Sequence, residues 1–286
     1  MKKEIRDVDK ERGIVRVTTS DERYYLRPVP NEKTGLPEYK TVPSVTWVAG
    51  FYPKGTAFYR WLSEHGWDEA EAIKVAAGDK GSAVHKAIEM ILNDEPFRID
   101  TKVLTYSGDG MVERELTYEE LLCVKSFCDW REAVKPEVIS TEITVFSDIH
   151  GYAGTVDLIC RIDGVPYVVD FKTSKQVWTE HELQISAYRM ALENGENPIK
   201  ENSREIKGKI VDLSGLKTAI LQVGYSKNKA GYKWTEIEDA FPMFKVAQQI
   251  WKREVGDNTP GFTQKDFPLV LSAGKKVEEI TKGKKK

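Results

Sequence analysis

Short alternating runs open the chain. Gly13-Ile14-Val15-Arg16-Val17-Thr18-Thr19 and Arg23-Tyr24-Tyr25-Leu26-Arg27, separated by Ser20-Asp21-Glu22, carry the period-two pattern of a β-hairpin. From Pro43 to Leu92 the apolar spacing becomes helical, with breaks predicted at Pro53-Lys54-Gly55 and at Gly78-Asp79-Lys80-Gly81. A further helix is predicted from Tyr118 to Val134, ahead of Pro136. Residues 138 to 172 read as three strands and 179 to 194 as a helix. Residues 217 to 226 and 231 to 237 read as two more strands, and 240 to 255 as a last helix. Asn197 to Asp212 reads as a polar connection. The order βββα then ββα predicts one α/β domain over 42–256, preceded by a β-hairpin region over 1–41 and followed by a basic, flexible tail over 257–286.

Within the three strands, Ile162-Asp163-Gly164-Val165 is the preferred two-residue loop of a tight hairpin. Facing Ile162 with Val165 places Asp157 directly opposite Asp170 on one face of the sheet, their Cβ atoms ~5 Å apart. Opposed like charges at the end of an apolar hairpin (Val156, Leu158, Ile159, Val168, Val169) are destabilising and call for a cation between them. Oxygen donors favour Mg2+ or Mn2+. Lys172 projects from the same face ~7 Å further along the strand, outside the ligand shell. An acid, acid, base set serves phosphodiester hydrolysis: a cation activates water and stabilises developing charge, and a lysine positions or deprotonates that water. The competing reading is a plain hairpin whose carboxylates pair on the surface, Asp170 with Lys172 and Asp157 with Arg161.

Two helices add candidates. Between Lys80 and Leu92 the apolar face is Val84, Ala87, Ile88, Ile91 and Leu92. His85 flanks it at the border of the core, and Gly81 would let another element approach closely. After Thr173-Ser174-Lys175, the run Thr179-Glu180-His181-Glu182 reads as a capping box opening the next helix, on which Gln184 and Tyr188 share a face.

Composition narrows the class. Of 286 residues 40% are hydrophobic, enough for a core without disulfides, while 43 Lys and Arg against 45 Asp and Glu leave a net charge of only -2. No apolar run approaches a membrane span, and charges crowd the first residues, so an intracellular, cytoplasmic location is expected, with no membrane partner. Cys123, Cys128 and Cys160 lack CxxC spacing and read as reduced, buried spacers. His65, His85, His150 and His181 lack HExxH spacing, which disfavours a zinc hydrolase.

In order, His85, Gly154-Thr155-Val156-Asp157, Val169-Asp170-Phe171-Lys172-Thr173 and Gln184-Ile185-Ser186-Ala187-Tyr188 resemble the RecB-type nucleases of the PD-(D/E)XK superfamily over roughly residues 42 to 192. Val42-Pro43-Ser44-Val45-Thr46 with Lys80, Gly81 and His85 is similar in particular to phage-type exonucleases of that group. The resemblance implies a restriction-endonuclease-like core, with a mixed central sheet flanked by helices. It also implies metal ligation by His85, Asp157, Asp170 and the Phe171 carbonyl, with Lys172 as the catalytic lysine. Gln184 and Tyr188 would support the site or the DNA. Glu142, on the first strand, would act around the metal or a second metal, although its side chain could equally point to solvent. The cysteines do not match the four that hold an iron–sulfur cluster in one branch, so no cluster is expected. The implied activity is a Mg2+- or Mn2+-dependent DNA exonuclease of recombination, repair or phage DNA processing. Linear single- or double-stranded DNA is its substrate, and a recombination or single-strand-binding protein a conceivable partner.

With no global positive charge, DNA contact falls to local groups: Lys172, Thr173, Ser174 and Lys175, then Lys227, Asn228 and Lys229, and the lysine-rich tail. The aromatic run Phe51-Tyr52-Pro53 and Phe58-Tyr59-Arg60-Trp61 either stacks unpaired bases or, as the preferred expectation, packs helices onto the sheet. An endonuclease of the same fold and an inactive DNA-binding relative are the alternatives. The intact Asp157, Asp170 and Lys172 argue against the inactive relative.

Overall fold

A computed structural model describes residues 3–256, apart from 11, 20–21, 31–36, 108–109, 196–197, 201–202 and 227–228. The chain begins with β1 (Lys3–Asp9), β2 (Ile14–Thr19), β3 (Arg23–Pro30) and β4 (Pro37–Pro43), a four-stranded antiparallel sheet in which the expected hairpin is the central pair. The helices α1 (Val45–Ala49) and α2 (Thr56–Leu92) follow, then β5 (Lys102–Ser107), β6 (Gly110–Glu115) and α3 (Tyr118–Val134). Next come β7 (Glu137–Ser147), β8 (Tyr152–Ile162), β9 (Val165–Lys172) and α4 (Thr179–Asn194). The chain continues through β10 (Pro198–Lys200), β11 (Ser203–Ile206), β12 (Lys209–Asp212), β13 (Lys217–Val223), β14 (Tyr232–Glu236) and α5 (Phe241–Val255).

The central sheet runs β14-β13-β9-β8-β7. Only β9 and β13 are parallel, so the sheet is mixed, and joining two parallel neighbours demands the long crossover through α4. β9 is buried along most of its length on both faces, which explains its near-continuous apolar run. Val156, Ile159, Val168 and Ile220 pack with α1, α4 and α5 on one side. Leu158, Val169, Phe171 and Leu221 pack with α3 and the second half of α2 on the other.

Two expectations need correction. α2 runs unbroken through Gly78 to Gly81 and is interrupted instead at Gly66, whose φ of 74° and ψ of 169° only glycine adopts cheaply. A glycine in open surroundings breaks a helix only when its backbone leaves the helical region, and at 78 and 81 it does not. The connection from 197 to 212 contains β10 to β12, a small antiparallel sheet of mostly polar residues that period-two hydrophobicity cannot reveal. The hairpin β5–β6 also escaped sequence reading. Among the described residues no helix is long and apolar enough to cross a membrane. Cys123 and Cys160 are buried and free, whereas Cys128 is only half-buried.

Candidate metal centre and catalytic site

The site forms where the middle strands of the sheet come apart. The hairpin pairs Ile162 with Val165 and, at its far end, Leu158 with Val169, so the register set by Asp163-Gly164 is the expected one. Beyond that pair the Phe171 N–H donates to Asp157 Oδ2 at 2.8 Å. On the other side β7 pairs Thr141 with Leu158 and Ile143 with Val156, which sets Glu142 across from Asp157. Glu142 adopts φ 48°, a left-handed conformation unusual and strained for a residue of this kind in a strand. Glu142, Asp157 and Asp170 therefore stand in one row across three adjacent strands.

The carboxylates do not share a face as simple alternation predicts. Val156 packs toward α4 and Leu158 toward α2 and α3, so the alternation slips at Asp157. Asp157 turns to α2, its Oδ1 3.4 Å from His85 Nδ1. Asp170 turns to α4, where Gln184 Nε2 donates to its Oδ1 at 3.1 Å. Lys172 Nζ lies 2.6 Å from Asp170 Oδ2 and 3.4 Å from Gln184 Oε1. The same Gln184 amide donates to Tyr188 Oη at 2.9 Å, which ties the two α4 residues into the site. Arg161 does not pair with Asp157; it donates to the carbonyls of Gly164 and Asp212.

Close approach of α4 depends on a glycine, though not the expected one. A Cβ at Gly81 would meet only Thr173 Oγ1 at 3.9 Å, an ordinary contact. A Cβ at Gly154 would lie 2.2 Å from Tyr188 Cε1, so the tyrosine ring rests directly on that bare backbone. α4 starts at Thr179 as expected, but the Thr179–Glu182 box is absent. Instead His181 Nδ1 accepts the Trp178 N–H at 3.3 Å. Burial, with Lys172 and Lys54 nearby, pushes His181 down to about 3, which keeps the ring neutral for that acceptor role.

Charge is unevenly held. Burial drives the Asp170 carboxyl up to about 6 against the attraction of Lys172, with the Asp157 charge adding to the rise. Burial likewise opposes the charge on Asp157, but His85, Lys172 and the Phe171 N–H hold it below the usual carboxylate range. His85 is raised to about 9: desolvation disfavours its charge, and Asp157, reinforced by Glu142, overcomes that.

A divalent cation fits this set. One donor atom each from His85, Glu142 and Asp157 lies within 4.8 Å of the others. The Phe171 carbonyl faces the same place, 2.9 Å from His85 Nε2. Asp170 Oδ2 is buried with the Lys172 ammonium 2.6 Å away, so the lysine offsets the charge of this third carboxylate. Two or three carboxylates, a carbonyl and one imidazole suit a hard, oxygen-preferring ion, and imidazole ligation releases the proton His85 otherwise holds. Glu142, whose orientation the sequence left open, is thus directed inward.

A family model of the PD-(D/E)XK nuclease superfamily matches residues 57–259. The chain belongs to that superfamily. The match spans α2 to beyond α5 and so contains His85, Glu142, Asp157, Asp170, Lys172, Gln184 and Tyr188. Membership carries metal-dependent phosphodiester hydrolysis and a DNA substrate with it. No curated protein matches the chain significantly.

The other candidates of this PD-(D/E)XK nuclease are placed as follows. Thr173 and Ser174 sit half-buried in the turn after β9, which Gln222 Nε2 pins by donating to the Ser174 carbonyl at 2.8 Å. Lys175 is exposed on that turn. Lys229 is exposed, while Lys227, Asn228 and the tail from 257 lie outside the described residues. The aromatic run divides: Phe51 and Tyr52 pack on the core as expected, but Phe58 and Tyr59 are exposed.

Proposed function

We propose that this PD-(D/E)XK nuclease is a Mg2+- or Mn2+-dependent DNA exonuclease acting in recombination, repair or phage DNA processing. The observation that carries the reading is the row Glu142, Asp157, Asp170 beside His85 and Lys172, in which donor atoms of His85, Glu142 and Asp157 converge and Lys172 pairs with Asp170. His85, Asp157, Asp170 and the Phe171 carbonyl, together with Glu142, would hold the cation, which when bound would offset the negative charge developing on the phosphoryl oxygens and make a water more acidic. Lys172, held between Asp170 and Gln184, would orient that water and, when neutral, accept its proton. Gln184 and Tyr188 fix the Asp170 and Lys172 side chains. Thr173, Ser174 and Lys175, in the turn that follows Lys172, would contact the phosphates beside the scissile bond.

The test is release of nucleotides from end-labelled linear single- and double-stranded DNA with Mg2+, Mn2+ or chelator, alongside a covalently closed circle. Metal-dependent digestion of linear DNA, absent on the circle and lost in Lys172→Ala, is the expected result. Cutting of the circle would replace the exonuclease with an endonuclease, and DNA binding without cleavage under any metal would refute the catalytic reading.

A further inference from the structure

The first turns of α2 carry an aromatic cluster that no core claims. Phe58 stands edge-on to Tyr59 with ring centroids 5.6 Å apart and lies 6.0 Å from Trp61, which is itself 5.3 Å from His65. Phe58 and Tyr59 are 38% and 58% exposed. Neither they nor Trp61 join the apolar clusters of the described residues. Solvated aromatic surface of this kind, gathered in one place, marks a surface that contacts something.

Charge along α2 indicates what. Residues 54 to 63 hold Lys54 and Arg60 and no carboxylate. Residues 64 to 79 hold Glu64, Asp68, Glu69, Glu71 and Asp79 against Lys74. The change falls between Ser63 and Glu64, just ahead of the Gly66 interruption. Lys54 is paired with Glu180, so Arg60 carries the positive charge of the aromatic stretch, whereas the stretch beyond is acidic and repels phosphate.

Its position connects it to the metal centre. Lys54 Nζ lies 5.7 Å from the Phe58 ring centroid and pairs with Glu180 in the first turn of α4. One turn on, about 6 Å along the helix, Gln184 holds Asp170 and Lys172. The route from Phe58 to the carboxylates covers on the order of 15–20 Å, the span of a few nucleotides of extended single strand.

We propose that Phe58, Tyr59 and Trp61 form a stacking platform for unpaired bases, so that the site receives a single DNA strand or overhang along Lys54 and Arg60. The inference rests on the nuclease reading of the metal centre and names its substrate class. Every base has a face that stacks on an aromatic ring, so such a platform is tolerant of sequence. A blunt duplex keeps those faces covered and gains nothing from it. The acidic stretch past Gly66 ends the track.

The test is fluorescence anisotropy of the full chain, in chelator, with a single-stranded oligonucleotide of about 12 nucleotides and a blunt duplex. Tyr59→Ala and Phe58→Ala are each expected to weaken single-strand binding roughly 5- to 150-fold and to leave duplex binding unchanged, with Tyr59→Trp retaining affinity. An abasic site opposite the platform should weaken wild type by the same factor and the alanine variant no further, a coupling that a merely structural residue would not show. Equal loss on both DNAs, no loss on either, or loss indifferent to abasic sites overturns the platform. So does an unchanged single-strand affinity while Tyr59→Ala dissociates a self-associated species in sedimentation, which would make the patch a contact between copies of this chain. If wild type cleaves linear DNA with Mg2+ while the alanine variants bind like wild type, the platform falls and the nuclease reading stands. If binding behaves as expected and wild type cleaves nothing, the platform stands and the nuclease reading falls.

Discussion

Replacing Gly154 with alanine tests how the site is held. The new Cβ would lie 2.2 Å from Tyr188 Cε1, 2.9 Å from Cδ1 and 3.2 Å from Cζ. Carbon atoms in contact sit about 3.5–4.0 Å apart, so the ring must retreat by about 1.5 Å. Tyr188 is buried, and its hydroxyl accepts from the Gln184 amide that also donates to Asp170. Overpacking of this kind costs about 1–3 kcal/mol, whereas alanine in an unobstructed strand would gain about 0.5–1 kcal/mol over glycine. The sign alone is therefore diagnostic. Displacing Gln184, and with it Asp170 and Lys172, by about 1 Å should lower turnover on the order of 100-fold. Urea unfolding and single-turnover DNA cleavage measure the two effects. Removing the ring with Tyr188→Ala relieves the clash, so the double variant should be less destabilised than the two single variants added together, by more than about 1 kcal/mol. Wild-type stability in Gly154→Ala, or additive effects in the double variant, would refute the reasoning.

Asp170 gives a pH signature. Its folded-state carboxyl titrates near 6, above its ordinary value, so the metal-free protein binds an extra proton and loses stability as pH rises from about 4 to about 6. The raised His85 acts in the same direction in a separate, higher window: its stabilisation is full below about 6.5 and lost as pH climbs through about 9. Urea unfolding in chelator should show Asp170→Asn gaining on wild type up to about 3 kcal/mol between pH 4 and pH 7, and parallel pH profiles would count against the buried charge. Mn2+ at about 100 times its Kd should stabilise wild type by about 2.7 kcal/mol, with the affinity seen by calorimetry falling at least tenfold in Glu142→Gln. Unchanged affinity there would remove Glu142 from the ligand set. Thr117→Ala deletes a cap whose partner Glu120 also holds Arg114, and a loss of about 1 kcal/mol without change in cleavage chemistry is expected from thermal unfolding and turnover.

Sequence reading reached furthest where the signal was local. The Asp163-Gly164 turn determined the hairpin register, because a two-residue loop permits one pairing, and that register put Asp157 and Asp170 at matching heights. Helix periods placed α3 and α4 with correct limits. The superfamily pattern rested on the same residues, since spacing within one strand or helix turn is encoded in consecutive positions. The Thr117–Glu120 capping box was legible as T-x-x-E and went unread.

Tertiary structure decided what depends on pairs of distant segments. Which strand lies beside β9 follows from packing α4 over the sheet, and no local pattern states that β13 runs parallel to it. The slip at Asp157, the strained φ of Glu142 and the inward turn of that side chain arise from three strands meeting. The glycine that matters, Gly154, is identified only by the ring laid over it. Side-chain chemistry and turn preference are properties of a few adjacent residues, and the sequence contains them. Which side chains desolvate one another, and so which acid is raised and which lowered, is a property of the packed whole.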